Sequence, residues 1–152
     1  MKVREIMTTD VLTAEPTTPV NRLAILMIER GVSGIPVLDA GRVTGIVTEA
    51  DLILRNTRLE PPAFFQVLDG RFPMETPAHY QKRLRHMLGT HAGEVMTEDV
   101  LTIGPDAEVE ELADLLIRRK VSPIPVVEDG RLVGIVSRAD IIRMMAREPQ
   151  EP

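Results

Sequence analysis

Cysteine and tryptophan are absent from this chain, and aromatic residues of any kind make up only 3% of it. The first absence excludes disulfides, thiolate nucleophiles and cysteine–zinc sites. The second leaves Val, Ile, Leu, Met and Ala to build a core, for which a hydrophobic content of 43% is sufficient. No apolar run approaches the roughly 20 residues of a membrane span. Met1–Thr9 mixes Lys2, Arg4 and Glu5 with apolar residues and has no apolar h-region, so no signal peptide is expected and the chain reads as a soluble cytoplasmic protein. A basic excess is missing too. The formal net charge of -5 argues against a nucleic-acid partner, while leaving room for a local patch that takes a small anion. A length of 152 residues suits one compact domain or two small intimate ones.

What the chain does contain is a repeat. Glu5–Ile53 aligns without a gap on Glu94–Ile142, a constant shift of 89 (94 − 5), with 27 of 49 paired positions identical. Two copies are too few for a solenoid, whose stacked units need at least three. A pair facing each other about a pseudo-twofold axis is the natural expectation. Within each copy, a short extended piece (Val11–Thr13, Val100–Thr102) runs toward a proline, Pro16 or Pro105, which favours extended backbone before it. A helix follows, expected to be capped by Thr18 with Pro19 in its first turn. Its apolar stripe is Val20, Leu23, Ala24, Met27 and Ile28 in copy one, and Val109, Leu112, Ala113, Leu116 and Ile117 in copy two. In copy two, acids come early and Arg118, Arg119 and Lys120 come late, the order that complements a helix dipole. Two β-rich runs joined by a turn come next: Ile35–Leu38 with Val43–Val47, and Ile124–Val127 with Leu132–Val136. A second helix starts after Thr48 and after Ser137. The predicted class is α/β (α+β), each copy running strand, helix, strand, strand, helix.

Three features occur in order in both copies: Met-Thr before the Pro entry, V-S-x-I-P-V, and G-I-V-[ST]-x-x-D-[LI]. Together they closely resemble the cystathionine-β-synthase (CBS) domain family over everything except roughly residues 54–92 and the last few residues. The expected layout is CBS domain 1 at 1–58, a structured connector at 59–91 with a helix near 77–88, and CBS domain 2 at 92–148. The resemblance implies a regulatory, non-catalytic pair, also called a Bateman module. Such a pair binds AMP, ADP, ATP or S-adenosylmethionine between its halves, requires no cofactor, and signals to a separate effector protein. It implies that the motif Asp holds ribose hydroxyls and that the Ser or Thr three residues earlier faces phosphate. It also implies that adenine lies against the other copy. Carried over, Ser137 and Asp140 work with Thr13, Val32, Ser33, Ile35 and Pro36. Thr48 and Asp51 work with Thr102, Val121, Ser122, Ile124 and Pro125. The Ser137 site is expected to be the tighter, because Arg138 follows Ser137 where Glu49 follows Thr48.

Plainer readings stand beside these. A hydroxyl followed three residues later by an acid is a capping box, so each pair also starts a helix. The alternative function is a purely structural or oligomerising module without ligand. An enzyme is not expected: there is no glycine-rich phosphate loop, no cysteine, and no histidine in either repeat. His79, His86 and His91 lack a metal-ligand spacing and read as surface residues of the connector. The connector also holds every aromatic residue, Phe64, Phe65, Phe72 and Tyr80. Glu60-Pro61-Pro62 is expected to end the preceding helix. Tyr80, Leu84, Met87 and Leu88 are expected on one side of the 77–88 helix, in a connector packed on the module with a role in dimerisation. A homodimer is expected through Met27, Ile28, Leu116, Ile117, Ile53, Ile142 and Met145.

Overall fold

Each repeat folds around a tight hairpin whose turn is written in two residues. In the computed structural model, which describes residues 1–57, 64–67, 70–73 and 76–149, strand β1 (Gly34–Asp39) pairs antiparallel with β2 (Arg42–Thr48), and β5 (Ile124–Glu128) with β6 (Arg131–Val136). The linking residues Ala40-Gly41 and Asp129-Gly130 all take positive φ, between 50° and 78°. That is the two-residue hairpin geometry that Gly favours. The helices α1 (Val20–Arg30) and α5 (Val109–Arg118) precede the hairpins. α2 (Glu49–Leu54) and α6 (Arg138–Arg147) follow them.

The leading strand of each copy is shorter than expected. It shrinks to one parallel bridge, Ala14 with Val37 and Ile103 with Val126. Pro16 and Pro105 follow two residues later, and proline has no N–H to continue a ladder. The start of α1 also differs. Pro19 is the N-cap, and the Thr18 hydroxyl instead accepts from the Glu15 N–H at 3.0 Å. The Val20 N–H is satisfied by the Thr90 carbonyl at 2.9 Å, so the connector completes the helix end.

The two cores exchange their first turns. A 3-10 turn, Val3–Glu5, begins copy one, yet Val3 is fully buried among Leu112, Leu116, Ile124, Val126 and Val136 of copy two. The short helix α4 (Ala92–Val95) opens copy two and packs Ala92 and Val95 among Leu23, Ile35, Val37 and Val47 of copy one. Reciprocal backbone bonds fix the exchange: Thr8 with Ile135, and Thr97 with Ile46, all at 2.9–3.0 Å. Glycine makes room for it. A Cβ on Gly134 would lie 2.5 Å from Met7 Sδ, and one on Gly45 would lie 2.3 Å from Met96 Sδ. The chain-order division into 1–58 and 92–148 thus runs across two spatial cores.

Between the repeats, strands β3 (Phe64–Val67) and β4 (Gly70–Pro73) form a hairpin, and α3 spans Pro77–Leu88 as the sequence predicts. The sequence reading placed no strands here. The Thr76 hydroxyl caps α3 by accepting from the His79 N–H. Met87 is buried and Tyr80 and Leu84 are half-buried, but Leu88 is 65% exposed and leaves the expected stripe. The Glu60-Pro61-Pro62 break lies outside the described residues; α2 already ends at Leu54.

The expected dimer surface needs a similar correction. Met27 and Leu116 are buried within their own cores, because each continues the i, i+4 row of Leu23 or Leu112. Ile28 (83% exposed), Ile117 (75%), Ile53, Ile142 and Met145 remain on the surface.

Candidate functional site

The G-I-V-[ST]-x-x-D pattern puts a strand end, a cap and an acid in one place. β2 and β6 deliver Thr48 and Ser137 to the N-caps of α2 and α6. Asp51 Oδ2 then accepts from the Thr48 N–H at 2.8 Å and its hydroxyl at 3.1 Å. Asp140 Oδ2 accepts from the Ser137 N–H at 2.7 Å and its hydroxyl at 3.2 Å. Both carboxylates are 6% exposed. A buried carboxylate persists only where donors surround it, and the capping box supplies two to each Asp.

Each Asp faces a cleft between the repeats. The Ser137 cleft holds about 1030 Å³ and is lined by Ser137, Asp140, Arg143, Val32, Ser33 and Leu12, among others. The Thr48 cleft holds about 630 Å³ and is lined by Thr48, Asp51, Thr97, Val121, Ser122 and Arg138, among others. Both volumes suit a small-molecule ligand. Either Asp therefore meets the V-S segment of the opposite copy.

Other sequence-proposed residues fall elsewhere. Ile35, Pro36, Ile124 and Pro125 are fully buried in the cores and line neither cleft. Their apolar runs are covered on both faces, as in a strand buried on two sides. Thr13 and Thr102 do not line the clefts either; Val11 and Leu12, and Val100 and Leu101, do. These four residues are not among the proposed contacts; Pro123, which stands where copy one has Gly34, lines both clefts. Arg138 lines the Thr48 cleft and not the cleft of Asp140, while Ser137 and Glu49 border both. Arg138 and Asp140 are two apart on one helix, and residues two apart do not share a face. The expected charge ranking therefore has the wrong arginine. The Ser137 cleft draws its positive charge from Arg143 and Arg30, and the Thr48 cleft from Arg138 and Lys120. Arg118 faces away and lies 3.7 Å from Asp114.

Histidine behaves less simply than the sequence suggested. His91 is exposed and bonded to Thr90 and Glu94. Its hydrogen bond holds the Glu94 carboxyl below the usual value. His86, by contrast, turns inward from α3, with Nε2 2.9 Å from Asp51 Oδ1. Among the described residues no cluster of His, Asp or Glu could hold a metal ion, and no helix is long and apolar enough to cross a membrane.

Comparison with known proteins agrees with this architecture. The CBS-domain family model matches residues 3–56 and 92–147, both repeats including the exchanged turns. The chain is 28% identical to the CBS domain-containing protein YhcV of Bacillus subtilis, over 96% of this chain and 87% of that protein. It is 32% identical to the chloroplastic protein CBSX1 of Arabidopsis thaliana over 88% of this chain, but spans only 58% of CBSX1. Among solved structures, CBSX2 in complex with AMP superposes with a TM-score of 0.79 at 25% identity, covering 98% of this chain and 99% of that one.

Proposed function

We propose that this chain, which belongs to the CBS-domain family, is a cytoplasmic regulatory module that binds an adenine nucleotide or S-adenosylmethionine between its repeats and passes the signal to a separate protein. The observation that carries the reading is the Ser137 cleft. It combines a ten-residue helix, α6, whose N-terminal N–H groups attract an anion, with a buried Asp140, a half-buried Ser137, and the apolar Leu12 and Val32 opposite. In use, phosphate lies at the N-terminus of α6, with the Ser137 hydroxyl turned from Asp140 to donate to it. The ribose diol donates to Asp140, and the base lies against Leu12 and Val32. The AMP complex of CBSX2, which shares this fold, supports an adenine ligand. The chemistry required is binding alone, so no turnover is assigned to the module.

Titration calorimetry with AMP tests this. Wild-type protein should bind, and Asp140→Ala should weaken binding about tenfold or more, since a diol would then lose a charged acceptor. At AMP near 100 times the dissociation constant, thermal stability should rise by about 2.7 kcal/mol. No response to AMP, ADP, ATP or S-adenosylmethionine would favour the purely structural reading. The module acts as a homodimer through Ile28, Ile117, Ile53, Ile142 and Met145, whose exposure is unusual for large apolar side chains. The double change Ile28→Asp and Ile117→Asp should leave a folded monomer by light scattering.

A further inference from the structure

Asp51 and Asp140 occupy equivalent positions, but their hydrogen-bonding capacity is not equally used. An ionised carboxylate offers about four acceptor sites, two on each oxygen. Asp51 fills all four. Oδ2 takes the Thr48 N–H and hydroxyl, at 2.8 and 3.1 Å; Oδ1 takes the Thr97 hydroxyl at 3.0 Å and His86 Nε2 at 2.9 Å. A carboxylate only accepts, so His86 carries its proton on Nε2 in this contact. Asp140 Oδ2 is filled in the same way, but Oδ1 takes a single partner, the Arg143 guanidinium at 2.5 Å. That arginine is 60% exposed, sits one turn along the same helix and is free to swing aside.

The difference comes from the connector. Helix α3 lies between the repeats, and among the described residues copy two has nothing equivalent to His86. α3 is also fixed at its end: Arg55 Nε, just beyond α2, donates to the Gly89 carbonyl at 2.8 Å, and Met87 is buried. His86 is therefore held against Asp51 by the fold around it rather than by one flexible side chain.

We infer that His86 is the residue that decides ligand occupancy: by saturating Asp51 it closes the Thr48 cleft to a ribose diol, so that the chain takes one nucleoside ligand, in the Ser137 cleft. This rests on the nucleotide-binding reading above. A diol entering the Thr48 cleft must displace a hydrogen bond already made in a 6%-exposed site, whereas at Asp140 it meets an open acceptor.

AMP stoichiometry in titration calorimetry decides the matter. Wild-type protein should bind one AMP per chain, and Asp140→Ala should weaken that site about tenfold or more. His86→Ala should bind a second AMP per chain, because it frees one acceptor position on Asp51 Oδ1. Thr97→Ala frees the same oxygen without altering α3 and should also admit a second AMP, which covers the case in which His86→Ala disturbs the connector. Two AMP per wild-type chain, or one per chain in both variants, overturns the inference and leaves the nucleotide-binding reading standing. A wild-type protein that binds no AMP removes both.

Discussion

Copy one and copy two share 27 of 49 aligned residues, and their capping boxes agree to within about 0.1 Å, yet the clefts they build differ. Copy one carries a six-residue α2 and an Asp bonded from four sides; copy two carries a ten-residue α6 and an Asp with an open position. The lesson is that a repeat specifies its own fold, but the surroundings of its polar groups come from whatever is inserted beside it. Here the insertion is the connector, whose His86, Gly89 and Thr90 bond to Asp51, Arg55 and Val20 of copy one.

If the two cores are true equivalents, breaking either should cost the same, and this is the largest expected effect. Leu23 and Leu112 are both fully buried at matching positions. Leu23→Ala and Leu112→Ala should each destabilise by about 2–5 kcal/mol in urea unfolding. A cost confined to one of them would mean that the second core adds little to the stability of the pair.

A moderate effect is expected where the repeats meet. Gly34 and Pro123 are equivalent in sequence but touch in space: a Cβ on Gly34 would lie 2.6 Å from Pro123 Cδ. The small residue in one copy accommodates the ring in the other. Gly34→Ala should therefore cost about 1–3 kcal/mol by overpacking. Gly104→Ala, where a Cβ meets nothing within 4 Å, is the control and should change stability little. Equal midpoints for the two variants in chemical denaturation would show that the repeats can move apart at this point.

Much of this comparison was legible in the sequence. The repeat, the hairpins, the second-helix starts and the capping boxes all follow from local patterns of a few residues. Three things were not. The exchange of Val3 and Ala92 between cores is a long-range choice that an intact repeat pattern cannot show. The burial of Ile35 and Pro36 beneath the cleft depends on which face of a short, wholly apolar strand meets the ligand. The positions of Arg138 and His86 depend on helix rotation: one residue of a capping box faces its own cleft, while its neighbour faces the other.

The smallest expected effect concerns the arms that the two copies exchange. In the arm of copy one, Lys2 Nζ meets Glu108 Oε1 at 2.5 Å and Arg4 pairs with Asp106 at 2.8 Å, tying it to copy two. The arm of copy two has His91 where the first has Lys2, and it bonds within its own turn, to Glu94. Hydrogen bonding and charge from Lys2 hold the Glu108 carboxyl below its usual 4.5, and the same contact from Glu108 raises Lys2 above 10.5. The signs give two limits. A carboxyl lowered in the fold stabilises above 4.5, and that stability is lost as pH falls through the folded value. An amine raised in the fold stabilises below 10.5, and that stability is lost as pH rises through its folded value. Lys2→Met should thus lower Tm slightly near neutral pH, with the difference from wild type vanishing in acid below the folded Glu108 value. Because both groups are exposed, high salt should erase it as well. A difference that survives both acid and salt would show that Lys2 holds the exchanged arm by packing its methylene chain rather than by its charge.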